Sequence, residues 1–164
     1  MKLETLQELF VHELQDLYSA EQQILEALPQ MAKAASAKEL RRAFEEHHRQ
    51  TEEHVARLEQ IFEGLEQDPA GKHCKGMEGL IKEGQELMEE DATPDVLDAG
   101  LIAAAQKVEH YEIAGYGTAR TYARILGNEE AARTLQQTLD EEGATDEKLS
   151  ALAESQINLE AAEG

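Results

Sequence analysis

The chain contains 164 residues, with 35 acidic against 15 basic side chains and a formal net charge of −20. This charge argues against nucleic acid and anionic membrane surfaces as partners, because both would repel the molecule as a whole. No segment approaches the roughly 18 continuous apolar residues of a membrane span. The single cysteine, Cys74, is interpreted as structural and is typical of a reducing compartment. We therefore expect a cytoplasmic protein that forms one domain over residues 1–164, the last few of them a flexible tail.

The N-terminal part of the chain predicts two amphipathic helices separated by a short turn. Hydrophobic residues recur at steps of three and four between positions 6 and 31, and Glu21 lies within this stripe. The run Ser36-Ala37-Lys38-Glu39 matches a capping box, so we expect the second helix to begin there. Its stripe covers positions 40 to 65 and includes His47. Each of these two helices therefore directs a metal-ligating side chain toward the core.

Positions 67 to 93 have a weaker pattern, with a short helix expected at 77 to 88, and we interpret them as a connection. Thr93-Pro94 then supplies an N-cap and a proline at the first helical position, which starts the third long helix. Glu112 lies on the apolar stripe of that helix and Glu109 lies at its border.

Gly127-Asn128 ends the third long helix and starts the last one, in which Glu142 and Asp146 both lie on the apolar stripe. Two tight hairpins joined by a long connection predict an all-α, ferritin-like four-helix bundle, because the connection can cross from one end of the bundle to the other. Measured from their turns, the polar residues of the two hairpins lie at matching heights near mid-bundle.

This inward polar cluster is the main indication of function. We expect Glu21, His47, Glu109, Glu112, Glu142 and Asp146 to bind metal. The set is rich in oxygen donors with one nitrogen donor, which favours iron or manganese over structural zinc. Two ions are expected, because one divalent ion would leave excess negative charge buried. Asp16, Glu13 and His110 are alternative or supporting residues, and Tyr18, Tyr111 and Tyr116 lie near the same level.

Taken singly, each residue has a simpler interpretation. Glu109 at the border of its stripe fits a solvated position, and His47 fits a hydrogen-bonded core histidine. Glu142 and Asp146 are harder to explain without a cation, because two acids one turn apart on an apolar face combine like-charge repulsion with desolvation.

Several runs resemble the YciF-like family of bacterial ferritin-like stress proteins, over nearly the whole chain. They are Asp16-Leu17-Tyr18-Ser19-Ala20-Glu21, Ala104-Ala105-Gln106-Lys107-Val108-Glu109-His110-Tyr111-Glu112, Tyr116-Gly117, and Leu139-Asp140-Glu141-Glu142 followed by Asp146. The resemblance implies a ferritin-like bundle with a dinuclear iron centre, a homodimer and a link to stress responses.

The sequence departs from the Glu-x-x-His pattern of ferritins and rubrerythrins. The last helix has Thr145 where that motif places histidine, and Glu45-x-x-His48 of the second helix points away from the stripe. The predicted ligand set therefore differs from that of ferroxidases, and the ligand set determines redox behaviour.

Three functions follow from these patterns. The first is a di-iron protein that oxidises Fe(II) with dioxygen or peroxide. The second is a helical stress-induced dimer that acts as a binding or structural protein without catalysis. A DNA-protecting mini-ferritin is the third, and the negative charge disfavours it.

Overall fold

The computed structural model describes residues 3–163 and confirms the predicted all-α, ferritin-like bundle of two antiparallel hairpins. Its helices are α1 (Leu6–Ala34), α2 (Lys38–Leu65), α3 (Lys75–Glu89), α4 (Pro94–Ile125), α5 (Glu129–Leu152) and α6 (Asn158–Glu163), with a π-helical turn at Ala153–Ile157 before α6. Helices α1 and α2 form the first hairpin and α4 and α5 the second, while α3 lies in the crossover and packs on α4 and α1. Within residues 3–163, no helix is both long and apolar enough to cross a membrane.

The turn before α2 is capped by a distant residue, so the predicted capping box is wrong. No side chain at the N-cap position of α2 accepts a helix amide. Instead, the buried carboxylate of Asp98 on α4 accepts the N–H of Ser36 at 2.8 Å and that of Ala37 at 2.7 Å. This contact between the hairpins satisfies amides that precede the helix.

The predicted boundaries of the second hairpin are confirmed. Helix α4 begins with Pro94 at its first position. Gly127 adopts the left-handed region at a φ of 75°, and the Asn128 side chain accepts the N–H of Ala131 at 3.0 Å. Glycine is suited to this backbone conformation because it has no Cβ to clash.

The crossover is attached to α1 and α4 by a small polar cluster around Asp16. The Asp16 carboxylate accepts the hydroxyl of Tyr111 at 2.5 Å and the thiol of Cys74 at 3.2 Å. Lys72 Nζ lies 2.9 Å from the other carboxylate oxygen. Cys74 also accepts the N–H of Met77 and thereby caps α3, which agrees with a structural role for this cysteine.

Two apolar clusters fill the bundle, one toward each end. The first includes Ile24, Phe44 and Leu101, and the second includes Leu14, Phe62 and Leu135. Along α2, α4 and α5 the members of the two clusters are separated by a stretch that contains the predicted polar residues, and Glu21 of α1 borders the same level. The polar cluster therefore lies near mid-bundle, between two dry cores.

The last residues, expected to form a flexible tail, are helical as far as Glu163. Ala153 and Ile157 of the π-helical turn are buried in the first apolar cluster, and α6 contacts α4.

Candidate metal centre

Side chains from all four bundle helices converge between the apolar clusters, and each is at most 3% exposed. They are Glu21 of α1, His47 and His54 of α2, Glu109 and Glu112 of α4, and Glu142 of α5. Helical spacing accounts for the two pairs, because residues three or seven positions apart lie on one face of a helix.

The six side chains form two overlapping groups. His47, Glu109, Glu112 and Glu142 offer ligand atoms within 4.8 Å of one another, and so do Glu21, His54 and Glu142. Glu142 is the shared member. Its Oε2 lies 3.9 Å from His47 Nε2, whereas its Oε1 lies 3.0 Å from His54 Nδ1. The two oxygens of one carboxylate thus face two different imidazoles.

Several of these close approaches lack the geometry of a hydrogen bond. His47 Nε2 lies 3.1 Å from Glu109 Oε1, yet this nitrogen makes no hydrogen bond within the described residues. The same is true of His54 Nδ1 and of both oxygens of Glu112 and Glu142. Buried polar atoms without partners carry a penalty of several kcal/mol. These nitrogen and oxygen atoms lie close together but do not hydrogen-bond to one another. Ligands of a shared cation would be arranged in the same way.

The close packing of buried carboxylates also raises their pKa values. Burial raises the pKa of Glu109 and of Glu142 to about 8, and neighbouring carboxylates add to the effect. Burial and the charges of Glu142 and Glu21 raise the pKa of Glu112 well above its usual range. Without a cation, these carboxyls therefore hold protons at neutral pH that solvent-exposed glutamates would release.

His54 is oriented by an outer ion pair. Its Nε2 lies 2.8 Å from Glu141 Oε2, and Glu141 in turn accepts both guanidinium nitrogens of Arg57, at 2.7 and 3.0 Å. Burial lowers the pKa of His54, but its contacts with Glu142 and Glu21 outweigh burial and raise the pKa to about 11. Both ring nitrogens of His54 therefore carry protons in the metal-free protein. A cation would displace the proton on Nδ1, which faces the carboxylates, and Glu141 would keep the proton on Nε2, as in the carboxylate–histidine–metal arrangement of many metal sites.

Other neighbouring polar groups have protein partners of their own. The Tyr116 hydroxyl donates to Glu21 Oε1 at 2.5 Å. Thr51, which shares the stripe of His47, donates its hydroxyl to the backbone carbonyl of His47 at 2.9 Å. Tyr18 donates to Glu59 at 3.0 Å, away from the cluster.

Five of the six predicted ligands are brought together, and Asp146 belongs to neither group. Its carboxylate lies 3.1 Å from His110 Nε2 and accepts the side-chain amide of Gln106 at 3.2 Å. Asp146 therefore lies at the edge of the α4–α5 interface, one turn beyond Glu142, where a 20% exposed side chain is solvated. The alternatives also have other contacts, because Asp16 holds the crossover, His110 pairs with Asp146, and Glu13 lies 3.9 Å from His12.

Sequence reasoning missed His54, although a signal was present. His54 follows Thr51 by three positions and precedes Leu58 by four, so it continues the stripe that contains His47. The adjacent Val55 fits the same stripe and is also buried. Periodicity alone does not decide which of two neighbouring residues faces the centre of a bundle.

With this geometry in view, comparisons with known proteins identify the family. The model of a domain of unknown function, DUF892, matches residues 5–162. Protein YciF of Escherichia coli (strain K12) is 46% identical over 162 residues, which cover 98% of each chain. The crystal structure of the E. coli stress protein YciF matches with a TM-score of 0.92 and 45% identity, over 95% of this chain and 99% of that chain.

Two further solved structures are similar to this chain. YcfI of Rhodopseudomonas palustris, provisionally described as a structural protein, matches with a TM-score of 0.88 and 43% identity, over 91% of this chain and 95% of that chain. A protein of Xanthomonas campestris, only 23% identical over 97% of each chain, supports the fold alone with a TM-score of 0.77. The chain belongs to the DUF892 family of YciF-like proteins.

Proposed function

We propose that this protein binds a dinuclear non-haem metal centre, with iron as the preferred metal and manganese as the alternative. The ligands are Glu21, His47, His54, Glu109, Glu112 and Glu142, so His54 takes the place first given to Asp146. The observation that carries the proposal is the set of buried, unpartnered ligand atoms arranged in two groups around Glu142.

The charges favour two ions over one. The ligand set contains four carboxylates, Glu21, Glu109, Glu112 and Glu142, and two divalent cations would balance them when all are ionised. A single divalent ion would leave two buried negative charges without compensation, which is expensive in a low-dielectric interior. Glu142 has one oxygen toward each imidazole, so it would be the residue that the two ions share.

Iron bound at this site would supply one-electron redox chemistry toward dioxygen or peroxide. The protein residues prepare the site in three ways. Glu141 holds His54 so that Nδ1 faces the centre, and Tyr116 fixes one oxygen of Glu21. The two apolar clusters exclude bulk water from above and below. Catalytic oxidation would require a free coordination position on the metal, where the oxidant could bind.

Metal titration tests the proposal. Metal-free protein prepared without oxygen is titrated with Fe(II) or Mn(II) and the bound metal is counted per chain, with about two expected. Glu142→Gln should lose most of the uptake, because it removes the shared ligand. Asp146→Asn, one turn away on the same helix, is the matched control and should bind as the wild type. Uptake well below one ion per chain would refute the proposal.

A second candidate is a structural or binding protein without catalysis, favoured by the description of YcfI as a structural protein. In that case, protonation would remove the buried negative charges, and the core would be stable without metal. This candidate predicts that Fe(II) and Mn(II) leave the melting temperature unchanged and that Glu142→Gln raises it. A metal centre predicts that either ion raises the melting temperature of the wild type and leaves that of Glu142→Gln unchanged.

The biological setting is proposed from the relatives. Since E. coli YciF is a stress protein, we propose a stress-related role, in a cytoplasmic homodimer without a nucleic-acid partner. Sedimentation equilibrium measures the assembly directly, and a monomer at micromolar concentration would contradict the dimer.

A further inference from the structure

An apolar cavity has residues of the protein surface and residues of the candidate metal centre in its lining. It lies mainly between α1, α3 and α4, with Phe44 and His47 of α2 and Leu149 of α5 also in its lining, and has a volume of about 30 Å³. Its outer rim includes the exposed residues Gln30 and Gln85, and its inner end is formed by His47 and Glu109, which are both buried. Between the rim and the inner end, the walls are aliphatic, sulfur-containing or aromatic, as at Met31, Phe44 and Val108.

The size and lining of this cavity restrict what it can hold. One water molecule needs roughly 10–15 Å³ measured in the same way, so the space admits a molecule of two or three heavy atoms. Apolar cavities of this kind stay dry and bind nonpolar guests, because a water molecule would lose its hydrogen bonds there. A polar or charged substrate would gain nothing from these walls.

A second cavity approaches His47 from the opposite side and has a different character. It lies between α2 and α5, with a volume of about 140 Å³, and is lined by Glu46, Gln50, Thr145 and Lys148 among others. Glu46 and Lys148 form an ion pair at this cavity. Apolar walls are therefore specific to the cavity between α1, α3 and α4. The cavity between α2 and α5 gives polar molecules a separate route to His47.

We propose that the apolar cavity delivers dioxygen to the metal centre, so that dioxygen is preferred over hydrogen peroxide as the oxidant. This inference rests on the proposed function. Two ferrous ions held by the proposed ligands would supply one electron each, and with two protons the dioxygen would leave as hydrogen peroxide. Dioxygen is small and nonpolar and matches the cavity, whereas hydrogen peroxide is a hydrogen-bonding molecule and matches the polar approach.

The first experiment uses metal-free protein and xenon, a nonpolar guest that does not require the metal. Crystals of the full chain are pressurised with xenon, which should be found between α1, α3 and α4. Ala104→Leu places a larger side chain in the cavity wall and should abolish the xenon site. Ala103→Leu, at the neighbouring exposed position on the same helix, is the matched control and should retain it. Absence of xenon from the cavity of the wild type would overturn the proposal.

The second experiment measures oxidation of bound Fe(II) by stopped-flow absorbance. Ala104→Leu should slow oxidation by dissolved dioxygen about tenfold while oxidation by hydrogen peroxide keeps the wild-type rate. Gly84→Ala is a milder variant that should fold at least as well, since its Cβ would meet Ala104 Cβ at an ordinary 3.6 Å. It should show a smaller effect in the same direction.

Two outcomes of the second experiment contradict the cavity as a dioxygen route. One is a wild-type rate with dioxygen in Ala104→Leu, and the other is an equal loss of rate with both oxidants. If the wild type takes up no iron at all, the proposed function fails, while the xenon experiment still decides whether the cavity accepts a nonpolar guest.

Discussion

Glu142 shows how much of this site depends on single side chains. Its two oxygens face His47 and His54 on the same neighbouring helix, so one residue of α5 joins both ligand groups. His54 depends in turn on Glu141, the residue immediately before Glu142, through its other ring nitrogen. Glu141 thus orients His54 while Glu142 faces the centre, because successive residues of a helix point in directions about 100° apart.

The contact between Glu141 and His54 leads to a prediction at the residue scale. Glu141→Gln should weaken metal binding by about 10- to 100-fold, because a neutral amide holds the Nε2 proton of His54 less firmly and makes Nδ1 a poorer ligand. Isothermal titration with Mn(II) measures the change. Glu53→Gln is a suitable control, since Glu53 is exposed and also contacts Arg57. Equal affinities for Glu141→Gln and the wild type would show that the orientation of His54 does not depend on this carboxylate.

Cys74 provides a second test at this scale. The thiol is fully buried, and burial raises its pKa, although the neighbouring Tyr111 hydroxyl and the hydrogen bond from the Met77 N–H lower it. A thiol that is both inaccessible and protonated is a poor nucleophile. Ellman's reagent should therefore leave the native protein unmodified and react with one thiol per chain after unfolding in guanidinium chloride. Rapid reaction under native conditions would contradict the structural role.

At the scale of secondary structure elements, the two hairpins are joined by specific polar contacts as well as by apolar packing. Asp98 of the second hairpin binds the turn of the first, and Asp16 of the first hairpin binds both Tyr111 of the second and the crossover. These carboxylates connect segments that are distant in sequence, so the relative position of the hairpins is fixed at the end where Asp98 lies and again near the level of the polar cluster.

Asp98→Ala should therefore destabilise the protein by about 2 kcal/mol, since two charge-assisted hydrogen bonds from the turn amides to a buried carboxylate are lost. Urea denaturation followed by circular dichroism gives the free energy of unfolding. Asp95→Ala removes an exposed acid from the first turn of the same helix and should have a much smaller effect. If the two variants lose stability equally, the contact with the turn contributes nothing beyond the local charge effect.

At the scale of the whole molecule, the site lies between two cores that must form around it. The carboxyls at the centre bind protons in the folded state that they release when the chain unfolds, because their pKa values are raised from 4.5 to about 8 for Glu109 and Glu142. Folding of the metal-free protein is therefore linked to proton binding, and folding of the metal-bound protein is linked to the metal.

The linkage predicts how stability varies with pH. Between about pH 4.5 and 8, the folded metal-free protein holds more protons than the unfolded chain, so its stability should fall as pH rises through this range. The pKa of His54 is raised to about 11, so this residue also lowers the stability of the folded protein as pH rises above 6.5. Stabilisation by Fe(II) or Mn(II) should grow with pH, because a cation competes with these protons. Melting temperatures from pH 5 to 8 with and without Mn(II) test both trends, and a metal-free stability that rises with pH would contradict them.

The amino-acid sequence by itself determined the class of fold, the order of the helices and the level of the polar cluster. Apolar periodicity identifies one face of each helix, and turn residues such as Gly127 and Asn128 locate the ends. These are local properties of the chain, so Glu21, His47, Glu109, Glu112 and Glu142 were predicted to face inward, and the structure brings them together.

Only the tertiary structure decided which of two neighbouring polar residues completes the cluster and which groups cap the turns. His54 faces the centre and Asp146 lies at its edge because the rotation of each helix about its axis is set by packing against its neighbours. Asp98 caps a turn some 60 residues away along the chain for the same kind of reason. The apolar cavity that ends at His47 is likewise lined by residues of five helices, and none of them contains it alone.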